Sequence, residues 1–285
     1  MCEGLNKKRA ENNILNRFRK RIIWALQGVS VKDRVRLVLF PVLYWLYGVK
    51  IPIISRYLYR VANIVVKGAA IYYKGSKYHL IDAATTYYFS ARSFEPWMWS
   101  YLATLKKDDV FVDVGAHVGL YSIYVAHNLG SKVIAIEPHP ENFNFLLKSI
   151  KSNSLRNISA LNLAARNEDT ELPLYTADSS DCHSLKSTIA RKHVYIVRAR
   201  KLDNVLSELG VRKVSFIKID VEGAEVEVLE GLRSSLKTYR PRLIIEVWTG
   251  NAGAVQRILK NLNYSISIVA GSVSKDLHYI YACPK

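Results

Sequence analysis

From residue 110 onward the chain alternates short β-branched apolar runs with longer amphipathic segments, and no other feature constrains its fold as much. Segments 110–114, 132–137, 158–163, 214–220 and 243–248 read as strands, and 119–128, 141–152, 224–232 and 252–262 as helices. Segments 264–270 and 277–283 read as two closing strands. Short, continuously apolar strands suit a sheet buried on both faces, and helical crossovers bury parallel strands that way. The pattern predicts an α/β fold, a doubly wound and mostly parallel sheet whose ligands bind beyond the C-terminal strand ends. Segments 171–176 and 193–200 interrupt the alternation as an inserted hairpin over about residues 171–200, joined by the polar loop 177–192.

The N-terminal third is different in kind. Residues 1–60 read as a helical, basic extension, and residues 61–285 as the remaining domain with its core at 90–285. A hairpin is expected where 70–73 and 78–81 flank Lys74-Gly75-Ser76-Lys77, and a helix start at Ser93-Phe94-Glu95-Pro96-Trp97. No linker rich in Gly, Pro or Ser separates the parts, so docking of the extension on the core is expected. Of the formal net charge of +17, most falls early: residues 1–100 hold 17 Lys/Arg against 5 Asp/Glu. Such a segment seeks phosphate, on nucleic acid or on an anionic membrane. The apolar run 37–49 has 13 residues and contains Pro41, where a spanning helix needs about 20. With Arg17, Arg19, Lys20, Arg21, Lys32, Arg34 and Arg36 upstream, it fits a helix in the membrane interface with Tyr44, Trp45 and Tyr47 at headgroup level. Packing as a buried helix is the competing account. A secretory signal fits poorly, because the apolar run starts late and lacks a small-residue cleavage site. Cys2, Cys182 and Cys283 form neither a disulfide framework nor a zinc pattern, which favours a reducing compartment.

The first strand ends in Asp113-Val-Gly115-Ala116-His117-Val-Gly119, a D-x-G-x-x-x-G turn into a helix. Glycines permit the tight turn and a close ligand approach, and the helix presents free N–H groups. His117 stands where a dinucleotide fingerprint has its second glycine, which disfavours a pyrophosphate, and no P-loop Gly-Lys-Ser/Thr follows. S-adenosylmethionine, which has no phosphate, fits better: Asp113 would serve its positive amino or sulfonium end. Glu137, at the end of the second strand, would accept both ribose hydroxyls. His117 is expected to cap the turn rather than take part in chemistry.

At the fourth strand end, Lys218 and Asp220 share a side of the strand. Charges on a strand buried on both faces are costly unless paired, so an adjacent opposite pair there is a candidate site. Glu225 and Glu227 are read as structural, Glu225 by favouring a helix N-terminus. Asp220 is read as functional, and Glu222 is left open between the two. Glu246, before Trp248, could join the same cleft or pair with a neighbouring cation.

Asp113-Val-Gly115-Ala-His-Val-Gly119, Glu137-Pro-His-Pro and above all Ile217-Lys-Ile-Asp-Val-Glu-Gly-Ala-Glu225 resemble the FkbM-type class I methyltransferases over roughly residues 90–285. The resemblance implies a Rossmann-like seven-stranded sheet with an antiparallel last strand. It implies S-adenosylmethionine as cofactor and methylation of hydroxyl oxygens on sugars or polyketide-type products. Carried onto this chain, it puts the cofactor at Asp113, Gly115, Gly119 and Glu137, and Asp220 and Glu222 near methyl transfer. Ala116, His117, Pro138 and Ala164 are further candidate cofactor positions. The family often has Asn where this chain has His117, so that contact is expected to differ.

The expected activity is O-methylation of a hydroxyl on a sugar, glycan, glycolipid or small molecule. Asp220, with Glu222, would orient or deprotonate the acceptor, and Lys218 would keep Asp220 ionised. Loop 177–192, with Asp181, His183 and Ser184, would cover the acceptor, His183 being an alternative base. An RNA ribose methyltransferase is the first rival, prompted by the charge. A non-catalytic, membrane-attached binding module is the second. A nicotinamide oxidoreductase fails on the glycine spacing. No metal is expected, because the seven histidines do not cluster with acids at ligand spacing. A cytoplasmic location is expected, with peripheral membrane contact left open by the N-terminal segment.

Overall fold

The computed structural model describes residues 24–47, 52–90, 94–176, 180, 183–185, 193–269 and 277–285. The chain divides into two compact units, Met1–Phe94 and Glu95–Lys285.

In the first unit, helices α1 (Val31–Tyr47) and α2 (Pro52–Val66) precede a hairpin of β1 (Ala70–Tyr73) and β2 (Ser76–His79) and helix α3 (Ala83–Ser90). Ser30 starts α1: its Oγ donates to Asp33 Oδ2 at 2.7 Å and accepts from the Asp33 N–H at 3.1 Å. Phe40 on α1 is buried with Ala62 and Val66 on α2 and with Ala83 on α3. The hairpin closes through Lys74 and Gly75, both at positive φ (45° and 82°), as a two-residue turn requires. That turn pairs Tyr73 with Ser76, so the second strand begins two residues earlier than the sequence suggested. Helix α2 runs through residue 60, where the extension was expected to end. Ser93, Cys2, Cys182, Asp181 and the basic residues before Trp24 lie outside the described residues, as do the side chains of Tyr44, Trp45 and Tyr47.

The second unit opens with α4 (Met98–Leu102) and β3 (Val110–Val114). Then come α5 (Leu120–Tyr124, prolonged by a π-turn at Val125–Leu129), β4 (Lys132–Ile136), α6 (Pro140–Ser152) and β5 (Ile158–Leu161). Strands β6 (Ala164–Arg166), β7 (Thr170–Tyr175) and β8 (Val194–Lys201) form a separate three-stranded sheet, which contains the expected inserted hairpin. The main sheet resumes with α7 (Leu202–Glu208), β9 (Phe216–Ile219), α8 (Glu225–Gly231), α9 (Arg233–Tyr239) and β10 (Arg242–Trp248). It ends with α10 (Ala252–Asn261), β11 (Tyr264–Ile268) and β12 (Leu277–Pro284).

The main sheet has seven strands in the order β11-β12-β10-β9-β3-β4-β5. Its central pairs are parallel, and β12 runs antiparallel to both β10 and β11. The expected Rossmann-like architecture is therefore present. Val112, Val114, Ile217, Ile219, Leu243 and Ile245 are buried at its centre. Strand order reverses between β3 and β9: the chain moves outward through β4 and β5, then returns to β9 and β10. The C-terminal ends of β3 and β9 flank the crevice that this reversal opens. Helices α7 and α9, seven residues each, were not read from the sequence, whereas the equally short α8 was, because Gly223 after a strand end marks its start.

Candidate active site

Strand register assembles the site. Asp113 pairs with Lys218, Val114 and Ile245 with Ile219 on either side, and Glu246 with Tyr279. One residue beyond Val114 and Ile219, Gly115, Asp220 and Glu246 stand level, and Tyr279 continues the row on β12. Pleating puts Asp113 and Lys218, two residues back, on the same side as Gly115 and Asp220.

Lys218 is the hub. Its side chain is buried, and Nζ donates to the Gly115 carbonyl at 3.2 Å. Nζ lies 3.1 Å from Asp220 Oδ2 and 3.6 Å from Asp113 Oδ1, and 5.7 Å from the centre of the Tyr121 ring. Burial pushes the ammonium pKa down, but Asp220, Asp113 and Glu95 together hold it above the ordinary lysine range. Asp113 accepts from Ser122 Oγ at 2.6 Å, and its burial outweighs Lys218 and keeps its carboxyl raised. Burial also pushes Asp220 up; there Lys218 and a hydrogen bond with Glu246 prevail, and the carboxyl sits below its usual value. Glu246 moves the other way: burial and the Asp220 charge push it up to about 10, so it carries a proton at neutral pH. Asp220 is 27% exposed, which makes it the member of this group open to an incoming ligand.

Sequence reasoning missed Glu95, Tyr121 and Tyr279. The Tyr121 hydroxyl donates to Glu95 Oε2, and Tyr279 hydrogen-bonds with both Glu95 and Glu246. Burial, then Asp220, raises the Glu95 carboxyl. Glu95, His117 and Glu222 all hold left-handed backbone (φ 39°, 53° and 51°), which costs a residue with a Cβ about 1–2 kcal/mol. The one local signal for Glu95 was Pro96, read only as a helix start; the helix begins two residues later, at Met98.

Asp220, Glu222 and Glu246 bring carboxylate oxygens within 4.8 Å of one another, a grouping that a search centred on histidine spacing passes over. Lys218 and the proton on Glu246 offset much of their charge. Glu222 also accepts at its carbonyl from Ser184 Oγ, 2.7 Å away. Glu225 is structural, as expected: its buried carboxylate accepts from the Gly223 N–H at 2.7 Å and from Asn251 Nδ2.

On the other side of the glycine turn, Glu137 is buried. Its Oε2 accepts from the His117 N–H at 2.8 Å and its Oε1 from the His139 N–H at 2.9 Å. Burial lifts its pKa to about 7 against these donors. His117 shapes the turn, with Nε2 2.9 Å from Ser180 Oγ. The His183 ring lies tilted against His139, ring centres 4.1 Å apart, on the Glu137 side. Asn162 Nδ2 donates to the Glu137 and Pro138 carbonyls, fixing the end of β4. Asn142 donates to Glu137 Oε1 and the Ser180 carbonyl, and its own Oδ1 is buried without a hydrogen bond. Ala116 is buried in the turn, its N–H on the Ile136 carbonyl at 2.9 Å.

Gly115 has a packing role that sequence reasoning did not foresee: a Cβ there would stand 1.8 Å from the Asp220 carbonyl oxygen, so the glycine lets two strand ends touch. Ala164 lies on β6, its side chain buried in the core of the small sheet with Leu174, Val197 and Ala199.

A doubly wound seven-stranded sheet with an antiparallel strand between its last two neighbours, and acids at the ends of its central strands, defines the Rossmann-like methyltransferase class. The family model for the methyltransferase FkbM domain matches residues 113–266, more than half of the chain, and the chain belongs to that family. It is 22% identical to "Methyltransferase 1" of Beauveria bassiana over 190 residues, covering 59% of this chain and 76% of the relative. It is 26% identical to the hexuronic acid methyltransferase AglP of Haloferax volcanii over 187 residues, covering 61% of this chain and 71% of the relative. The crystal structure of a methyltransferase FkbM from Methylobacillus flagellatus aligns with 95% of this chain and 60% of its own, at 16% identity and TM-score 0.47. The chain is a methyltransferase, and its family implies S-adenosylmethionine as methyl donor.

Proposed function

We propose that this methyltransferase is O-directed and acts on a hydroxyl of an uncharged, sugar-like acceptor, a glycan or glycolipid. The row Gly115–Asp220–Glu246–Tyr279 carries the reading. It sets an ionised carboxylate, a protonated carboxyl and a phenol beside the glycine turn, a surface suited to hydroxyl groups. The carboxylates would repel an anionic acceptor, which counts against RNA as the substrate.

The chain fits the donor. Glu137 offers carboxylate lone pairs to hydroxyl donors, and the unbonded Asn142 Oδ1 beside it is a further acceptor awaiting one. The negative charge around Asp113 and Asp220 suits a cationic ligand. S-adenosylmethionine, when bound, supplies an electrophilic methyl group. Asp113, Gly115, Ala116, His117, Gly119, Glu137 and Pro138 would hold it.

On the acceptor side, Asp220 receives the hydroxyl hydrogen bond and aims an oxygen lone pair. Lys218 keeps Asp220 ionised, and Glu246 restrains it by a hydrogen bond. As the acceptor oxygen took the methyl group, the bond from that carbon to the donor sulfur would break and leave the neutral thioether S-adenosylhomocysteine, while Asp220 would receive the hydroxyl proton and release it through its exposed edge. Glu222, held in left-handed backbone and tied to Ser184, bounds the acceptor side. AglP, a relative whose name declares a hexuronic acid substrate, supports a sugar acceptor, though not its neutrality, since a hexuronic acid carries a carboxylate. Placement in the cytoplasm belongs to the same proposal.

The test is transfer of isotopically labelled methyl to a panel of free sugars, lipid-linked sugars and RNA. Labelling of a neutral sugar or its lipid-linked form is expected. Asp220→Asn should lower turnover by about 10²–10⁴-fold while leaving affinity for S-adenosylhomocysteine within a few-fold. Labelling of RNA alone, or full activity in Asp220→Asn, would overturn the reading.

A further inference from the structure

Helix α1 turns apolar side chains in two opposite directions. At 100° per residue, Asp33, Leu37, Phe40 and Pro41 share one side, and all four are buried in their own unit. On the opposite side, over an arc of about 100°, stand Val31, Val35, Val38, Leu39 and Val42. All five are exposed, Val31 by 74% and Val35 by 54%. Lys32 and Arg36 edge this stripe on one flank and Arg34 on the other. Helix α2 repeats the arrangement: Tyr57 (68% exposed) and Ile64 (74%) lie one heptad apart, with Arg60 between them on the same face. Among the described residues these positions have no covering layer, although the unit buries other apolar groups well. A scattered exposed valine needs no explanation; a continuous apolar stripe bordered by cations does.

We propose that the outer face of α1 is a docking surface for the anionic face of a lipid bilayer. The helix would lie in the headgroup plane with Val31, Val35, Val38, Leu39 and Val42 in the acyl boundary. Lys32 and Arg36 would reach the lipid phosphates, their stems running along the apolar edge, while Arg34 is held back by its Nε on the Gly28 carbonyl, 3.1 Å away. The charge of the unit selects this occupant. Residues 1–94 carry 17 Lys/Arg against 4 Asp/Glu, so a second copy would meet strong repulsion, whereas an anionic membrane is attracted. The helix lies on the bilayer rather than crossing it: no helix among the described residues is long and apolar enough to span. This inference stands apart from methyl transfer and holds whatever the acceptor is.

The test is flotation of the full chain with vesicles of phosphatidylcholine, alone or mixed with phosphatidylserine. The chain should float with the mixed vesicles only, and less as salt rises. The double variant Val35→Glu/Leu39→Glu should lose at least about tenfold in partitioning, with an unchanged circular-dichroism spectrum and thermal midpoint. Lys32→Glu/Arg36→Glu should abolish the preference for phosphatidylserine. Val31→Trp should raise partitioning, again with an unchanged circular-dichroism spectrum and thermal midpoint. Wild-type chain that fails to float would overturn the proposal, as would undiminished flotation of Val35→Glu/Leu39→Glu. A dimer in solution that this double variant dissolves would instead assign the face to a second copy.

Discussion

At the residue scale, the site rests on unequal treatment of two neighbouring acids. Asp220 touches Lys218 and reaches solvent; Glu246 is buried against Asp220 and keeps its proton to about 10. As pH rises through that value, Glu246 gains a charge beside Asp220, and the hydrogen bond that restrains Asp220 is lost. A fall in kcat/KM approaching pH 10 is therefore expected. Glu246→Gln mimics the protonated acid, so it should retain most activity and remove the alkaline fall. A pH profile of both forms decides it, and an unchanged alkaline fall in the variant would assign that step to another group. The same raised pKa bears on stability. Between the unfolded value near 4.5 and about 10 the fold holds a proton that the unfolded chain releases, so Glu246 makes stability decline as pH rises across that window. Asp113, Glu137, Lys218 and Asp220 were legible in the sequence because each announces itself within a few positions, by a strand end or a glycine turn. Glu95, Tyr121 and Tyr279 were not, because their roles depend on which distant strand lies level with which.

At the element scale, β3 and β9 end in backbone contact, and Gly115 is the residue that allows it. Gly115→Ala would add left-handed strain at φ 79° and a Cβ 1.8 Å from the Asp220 carbonyl oxygen. A loss of at least about 3 kcal/mol in urea unfolding is expected, combining strain with displaced backbone. Gly210 is the control. It too has positive φ (64°), but a Cβ there would meet nothing within 4 Å, so Gly210→Ala should cost only about 1 kcal/mol. Equal costs at the two positions would show that strain alone matters. The strands and long helices of this region were legible from period and length. The small sheet was only half legible: β7 and β8 announce themselves, whereas the three-residue β6, which carries Ala164, does not.

At the scale of the whole molecule, charge is divided by region. The first unit is strongly basic, while the second holds 24 Lys/Arg against 20 Asp/Glu and gathers acids at its active row. The charge that prompted an RNA rival therefore belongs mainly to the unit without the site. For an uncharged acceptor, KM should change less than about twofold between 50 and 200 mM salt, whereas an RNA substrate contacted through several phosphates would lose orders of magnitude. Measurement of KM across that range separates the two.

The placement of β12 has a consequence for the order in which the molecule becomes active. This strand comes last among those described, yet it sits inside the sheet between β10 and β11 and delivers Tyr279 to the row. The slot beside Glu246 is filled only when this strand is inserted, so the row is complete only once the sheet itself has closed around β12.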